Sequence, residues 1–449
     1  MAKLSDRMSA LQARLGPFWW HSALMFGASR IGDVLHMAVG LFLVPLYVPE
    51  EQLGAVLPLL SLGVFFSVPL TAAARTTARY VTEFRVAGEA GRVRSILRDL
   101  MRVSLVVSLS GLLIVLGGQS FFAARLKFEG RAVPLLAGGL IVLSCWQPVL
   151  NLANQALGRY YRITVSVMVM AVARLALALI LLRLWGLEGY LAVQLLVGLI
   201  VALFLARGVR EYFKPEIVSV SNRALFKAVW RYFVPMLLMT GLFALQAVME
   251  PWIIRHRLPT EESAAFYVAS RFGMIPAYLS AALVTFLFPM ASERHDRGES
   301  SRRLQLQALG GLGAVGLAIT AGLAVFGARL LNVFPAWRPY MPYASLLWQT
   351  ALIAVGTSLI SLFAIHEAAC RRFGFLWIAT PVILLEVGGL YSLMGWSFFQ
   401  PFLPSSVWDC VNEWIRRDIG FIVTAMLAAR GAILLWMIPR LVFDRTKAP

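Results

Sequence analysis

Residues 163–184 read ITVSVMVMAVARLALALILLRL, a run of 22 residues whose one charge near the centre is Arg174. About twenty apolar residues in a helix span the hydrocarbon layer of a bilayer, and a helix satisfies every backbone donor and acceptor internally where lipid offers none. The run therefore predicts a transmembrane helix. Eleven further segments follow the same pattern, at residues 22–47, 53–74, 103–123, 133–156, 189–208, 231–254, 263–291, 308–330, 343–366, 374–396 and 419–441. The expected fold is an all-α polytopic membrane protein of about twelve transmembrane helices. Composition agrees: the 449 residues are 59% hydrophobic and 14% charged with a mean hydropathy of +0.74, against about half and a quarter for soluble domains. A water-soluble core is excluded as the main organisation.

The formal charge is +18, from 41 Lys and Arg against 23 Asp and Glu. In a soluble chain this would suggest nucleic acid; in a membrane chain, basic residues collect in loops that resist translocation, so no nucleic-acid partner is expected. Counted loop by loop, with residues at helix ends assigned to the adjoining loop, about 27 of the 41 fall on the side of the termini, about ten on the other side and about four inside helices. Twelve crossings return the chain to its starting side, so both termini are expected in the cytoplasm. Residues 75–102 carry seven Arg, and residues 207–231 carry six basic side chains near the chain midpoint. The expected division is an N-terminal lobe at 1–208, a cytoplasmic linker at 209–230 and a C-terminal lobe at 231–449, with six helices per lobe. Phe66, Pro69 and Arg75 recur as Phe286, Pro289 and Arg294, and Gln155, Ala156 and Arg159 recur as Glu367, Ala368 and Arg371, as expected of two repeats. Trp408, Val411 and Ile415 in residues 397–417 have the spacing of a short interfacial helix or of an irregular loop with chance aromatics. Cys145, Cys370 and Cys410 show no metal spacing and read as free thiols. Residues 1–17 are polar and basic, unlike a removable signal peptide.

Ionisable residues at membrane depth are costly and point to function. Arg30 and Asp33 share one face of the first helix, with His36 three residues on. Arg174, Arg271 and Arg430 have no opposite charge at three or four residues' distance. Two arrangements satisfy them. Glu250, Glu367 and Glu386 on other helices can pair with them internally, or they can line a wet cavity that receives an anion, for which guanidinium is well shaped. Pro45, Pro148, Pro235, Pro276 and Pro289 interrupt helical hydrogen bonding and permit bends. No phosphate-binding loop, nucleophile motif or dinucleotide turn is present. Transport is expected, and neither enzymatic activity nor a cofactor.

Three stretches resemble the polysaccharide-flippase branch of the multidrug/oligosaccharidyl-lipid/polysaccharide exporter superfamily. LFLVPLYVPEEQLGAVLPLLSLGVFFSVPLTAAAR, at 41–75, is similar to its first helix pair. AVMEPWIIRHRLPTEESAAFYVASRFGMIPAYLSAALVTFLFPMASE, at 247–293, is similar to its helix seven to eight unit, with Glu250, a Tyr-containing stretch from Tyr267, and Phe288–Pro289; Glu250 stands where Asp is frequent. NQALGRYYR, at 154–162, resembles the close of its fourth helix. The resemblance implies two six-helix lobes around a central cavity and the flipping of a polyprenyl-pyrophosphate-linked oligosaccharide across a bacterial inner membrane. Under it, Arg30, Arg174, Arg271 and Arg430 bind the pyrophosphate, while Asp33 or Glu250 tunes the site or couples it to a proton or sodium gradient. It also implies partners: the lipid-linked oligosaccharide, membrane lipids, and polymerase or other polysaccharide-assembly proteins.

Other readings compete. A multidrug or cation antiporter of the same superfamily would favour carboxylates over arginines. The peptidoglycan-precursor flippases usually carry two more helices. A non-transporting assembly subunit would pair all its charges internally, and a glycosyltransferase would display long outer loops with acidic motifs.

Overall fold

The described part of each of the twelve apolar segments lies mainly on a helix of the computed structural model, which describes residues 27–128, 130, 132–214, 223–296, 300–370, 372–392 and 419–443. Eleven long helices are found among the described residues: α1 Gly27–Tyr47, α2 Val56–Val86, α3 Ala90–Gly117, α4 Val133–Ala156, α5 Tyr160–Val209, α6 Arg223–Arg257, α7 Thr260–Asp296, α8 Arg302–Val333, α9 Ser345–Ala369, α10 Leu376–Ser392 and α11 Ile419–Phe443. No strand occurs among those residues. Among the described residues, eight helices are long and apolar enough to cross a membrane, and two shorter apolar ones lie at Leu376–Leu390 and Ile422–Met437. The chain is a polytopic all-α membrane protein. The proposed interfacial helix at Trp408, Val411 and Ile415, the N-terminal residues 1–17, Cys410, and residues 215–222 of the expected linker lie outside the described residues.

Helices extend beyond the apolar segments. The arginine-rich stretch 75–102, expected as a loop, is mostly helix: α2 continues to Val86 and α3 begins at Ala90. Hydropathy marks where lipid ends, whereas Arg, Glu and Ala continue a helix readily in water. Two expected helices, 163–184 and 189–208, form the two arms of α5, broken at Gly186 with φ +50° and ψ −119°. That left-handed backbone favours glycine. The arms then fold back on each other, since a Cβ at Gly189 would collide with the carbonyl of Leu181, and Arg162 of the first arm lies over Phe204 of the second, 5.8 Å from its centroid.

Pro45 shapes α1. Its nitrogen cannot donate to Leu41, and the helix widens to a π turn over Val39–Leu43 just before it. The freed Leu41 carbonyl accepts the Trp337 indole N–H at 2.7 Å, and the Gly40 carbonyl accepts the Tyr267 hydroxyl at 3.1 Å. Side chains thus satisfy backbone groups that lipid would leave bare.

By packing, the chain resolves into two compact units. The first draws on residues up to Val39, on Phe66–Gly117 and on Pro134–Val234. Its core joins Val81 and Phe84 of α2, Val93 and Leu97 of α3, Leu150 and Ala153 of α4, and Val201 and Leu205 of α5. Several of these lie on the basic stretch 75–102, and transfer of each large side chain out of water contributes roughly 1.5–3 kcal/mol. Asn154 Nδ2 ties α4 to α5, donating to the carbonyls of Leu150 at 2.8 Å and Leu205 at 3.0 Å.

The second unit draws on Gly40–Phe65, Gly118–Val133 and the chain from Pro235 onward. Here α7 packs closely on α9: Thr350 Oγ1 donates to the Ala269 carbonyl at 2.9 Å, and Gly273 leaves room for the Thr350 backbone. Arg255, 1% exposed, fastens three strands of chain. Its Nε donates to Leu126 O at 2.7 Å, and its Nη2 to Glu51 O at 2.5 Å and Lys127 O at 2.6 Å. Burial and the neighbouring Arg255 hold the Lys127 ammonium below the usual lysine range.

Candidate functional site

The intramembrane charges divide between the units. In the first, Arg30 and Asp33 form the expected pair one helical turn apart, Nη2 to Oδ2 at 2.8 Å, about a quarter exposed. Arg174 on α5 reaches α1, where its Nη1 meets His36 Nδ1 at 2.8 Å. Guanidinium has only donors, so His36 accepts on Nδ1 and keeps its proton on Nε2. Gly32 permits the approach, since a Cβ there would lie 3.2 Å from Val167 of α5. His36 and Arg174 therefore meet at an α1–α5 seam, while Arg30 and Asp33 pair within α1.

In the second unit, Arg271 of α7 lies against α1 through Gly40, whose added Cβ would be 3.3 Å from Arg271 Cδ. Its guanidinium carbon is 4.9 Å from the centroid of the Tyr267 ring, a cation–π distance, and its Nη1 is 3.7 Å from Met274 Sδ. Tyr267 thus meets Arg271 of its own helix through its ring and α1 through its hydroxyl.

Arg430 is different from what its neighbours in sequence suggest. Its Nη2 is paired with Glu250 of α6 and its Nη1 with Glu386 of α10, while its Nε donates to Thr357 Oγ1 of α9 at 3.2 Å. Gln246 Nε2, one turn before Glu250, donates to Glu386 Oε2 at 2.5 Å. All four of Gln246, Glu250, Glu386 and Arg430 are buried. Arg430, expected to face an anionic cargo, has its charge met by two carboxylates because α6, α10 and α11 converge there. Glu367, the third acidic side chain considered, lies instead beside His366, whose Nδ1 is 3.5 Å from its Oε1 and whose Nε2 is 2.8 Å from Ser301 Oγ. Cys370 closes this buried group, and burial raises its thiol above the ordinary range.

Sequence reading did not single out Gln246, Thr357, Arg255 or Ser301. A buried arginine that binds only carbonyls, such as Arg255, has no partner residue type to search for. Gln246 carried a weak signal, standing one helical turn from Glu250 on the same face. Among the described residues, no cluster of three or more His, Cys, Asp or Glu is arranged to hold a metal ion.

No family model matches the chain, and no curated protein sequence matches it. Solved structures do. A multidrug-resistance MATE family transporter of the MOP superfamily, in an inward-facing conformation, superposes with a TM-score of 0.64 at 14% identity, over 94% of this chain and 98% of that one. An outward-facing structure of such a transporter gives 0.59 at 15% identity, over 94% of each chain. A MOP superfamily transporter from Pyrococcus furiosus, described as having a binding pocket of reverse polarity that suggests a different function, gives 0.61 at 14% identity over 94% of each chain. The chain has the fold of the MOP superfamily transporters.

Proposed function

We propose that the chain is a flippase of the bacterial inner membrane, with both termini cytoplasmic. It moves a polyprenyl-pyrophosphate-linked oligosaccharide to the outer leaflet by alternating access, in cell-surface polysaccharide assembly. The observation that carries this reading is the placement of guanidinium groups within apolar helices, Arg30 on α1, Arg174 on α5 and Arg271 on α7, in a fold shared with transporters. A diphosphate supplies the charge and the planar acceptor pattern that guanidinium recognises. Solved inward- and outward-facing structures of this fold support alternation between two open states.

In this reading Arg30, Arg174 and Arg271 hold the diphosphate, with Asp33 positioning Arg30 between cycles. Arg430 has a different role. With Glu250 and Glu386 it forms a buried group of one positive and two negative charges, and a net negative charge at membrane depth is costly. One proton or sodium ion neutralises it, which makes this group the coupling element and Glu250 one of its two acceptors.

Alanine or glutamine at Arg30, Arg174 and Arg271, assayed for surface glycan at matched protein level, tests the cargo site. Loss of a hydrogen-bonded charge is worth about 1.5–3 kcal/mol, so transport falls roughly 10- to 100-fold per residue. Unchanged export in all three variants refutes the site.

A second reading, a multidrug or cation antiporter, is favoured by the buried Glu250 and Glu386 pair and by the multidrug-resistance transporter among the solved structures of this fold. Under it, Glu250→Gln raises drug susceptibility and leaves surface glycan intact.

A further inference from the structure

The turn from α4 to α5 borders an open cavity of about 450 Å³ lined by Gly158, Arg159, Tyr160, Tyr161, Arg162 and Glu211. Gly158 has φ +74°, and its missing side chain leaves room for the Arg85 guanidinium, which lies against it. Of the three arginines, only Arg159 has an acidic partner there, Glu211, and it also donates to the Gly208 carbonyl. Arg162 rests over the Phe204 ring, and neither it nor Arg85 makes a hydrogen bond among the described residues. Two guanidiniums and one carboxylate line the cavity, and a third guanidinium, Arg85, lies against its Gly158 wall, so positive charge is in excess.

The surroundings identify what neutralises them. Tyr160 and Tyr161 are 40% and 67% exposed beside the cavity, and tyrosine concentrates at the level of lipid head groups. From Tyr161 an exposed apolar stripe continues along α5 through Val169, Val172 and Leu179, eight, eleven and eighteen residues on. At 100° per residue those positions share one face. A soluble phosphate needs the basic cavity but not the stripe; a phospholipid uses both, its phosphate in the cavity and an acyl chain along the helix. Basic pockets between membrane helices on the cytoplasmic side are known to take such head groups.

We propose that this turn is a binding site for an anionic phospholipid, with Arg162 and Arg85 as the phosphate contacts and Tyr161 as the interfacial anchor. The site is separate from Arg30, Arg174 and Arg271 and does not depend on what is transported.

Native mass spectrometry of the full chain, released from micelles doped with phosphatidylglycerol or with phosphatidylcholine of the same acyl chains, tests it. Wild type is expected to retain phosphatidylglycerol preferentially. Arg162→Gln is expected to lower that retention about fivefold, the weight of one basic residue near an anionic surface, and Arg85→Gln/Arg162→Gln further still. Arg102→Gln, on α3 and outside the cavity lining, keeps wild-type retention, which separates the site from general surface charge. Equal retention of the two lipids by wild type overturns the proposal, as does undiminished retention in the double variant. Displacement of phosphatidylglycerol by millimolar inorganic phosphate would make this a free-anion site and likewise overturns it.

Discussion

The Arg30–Asp33 pair of α1 and the Arg430–Glu250–Glu386 group both place arginine against carboxylate within apolar helices, yet they differ in reach and surroundings. The first joins residues three apart, about a quarter exposed. The second joins α6, α10 and α11 across 180 and 44 residues of sequence and is buried. Local pairs are set by helix geometry and are replaceable; distant ones exist only when the bundle closes, so they report on tertiary structure and hold the larger energetic stake.

Removing one member of each arrangement gauges that difference. Arg430→Met leaves two carboxylates buried without their cation, a situation that costs about 3–5 kcal/mol. The expected result is a large fall in thermal stability of the purified protein, with partial recovery when Glu250→Gln and Glu386→Gln are added. No recovery would mean that packing against Gly356, rather than charge, dominates at Arg430.

Arg255→Met comes next. It strips three carbonyls of one charged donor, at about 1.5–3 kcal/mol for bonds to a charged group. Protease cutting near Leu126 and Lys127 should rise with it, and an unchanged cleavage pattern would show that those segments hold without the guanidinium. Tyr267→Phe removes a single neutral hydrogen bond to Gly40 while retaining the ring under Arg271. About 1 kcal/mol is expected, read as a small shift of the unfolding midpoint. Arg30→Ala is the mildest for stability, below about 1 kcal/mol because the pair is partly exposed. A fall in stability as large as that of Arg430→Met would erase the contrast between the two arrangements.

The contrast also marks what the sequence can convey. The apolar runs located the long helices among the described residues because lipid imposes a length and composition that no other constraint mimics. The i, i+3 spacing exposed Arg30–Asp33, and Pro45 signalled a disturbed α1. Hydropathy misplaced helix ends, as at 75–86 and 90–102, because charge stops a span but not a helix. The partners of Arg430 were named among three acidic candidates, but choosing Glu250 and Glu386 over Glu367 required knowing which helices converge. Arg255 bonds only to carbonyls, which every residue carries, so nothing in the sequence distinguishes it from a loop arginine.

Reconstitution into liposomes with a fluorescent polyprenyl-pyrophosphate-linked oligosaccharide, under an imposed pH or sodium gradient, addresses the function most directly. The wild-type protein should move the lipid between leaflets in a gradient-dependent way. Arg174→Gln should slow movement at every gradient, and Glu386→Gln should abolish the gradient dependence. Absence of any protein-dependent translocation of the lipid-linked glycan, with gradient-driven uptake of cationic drugs in its place, would contradict the proposal.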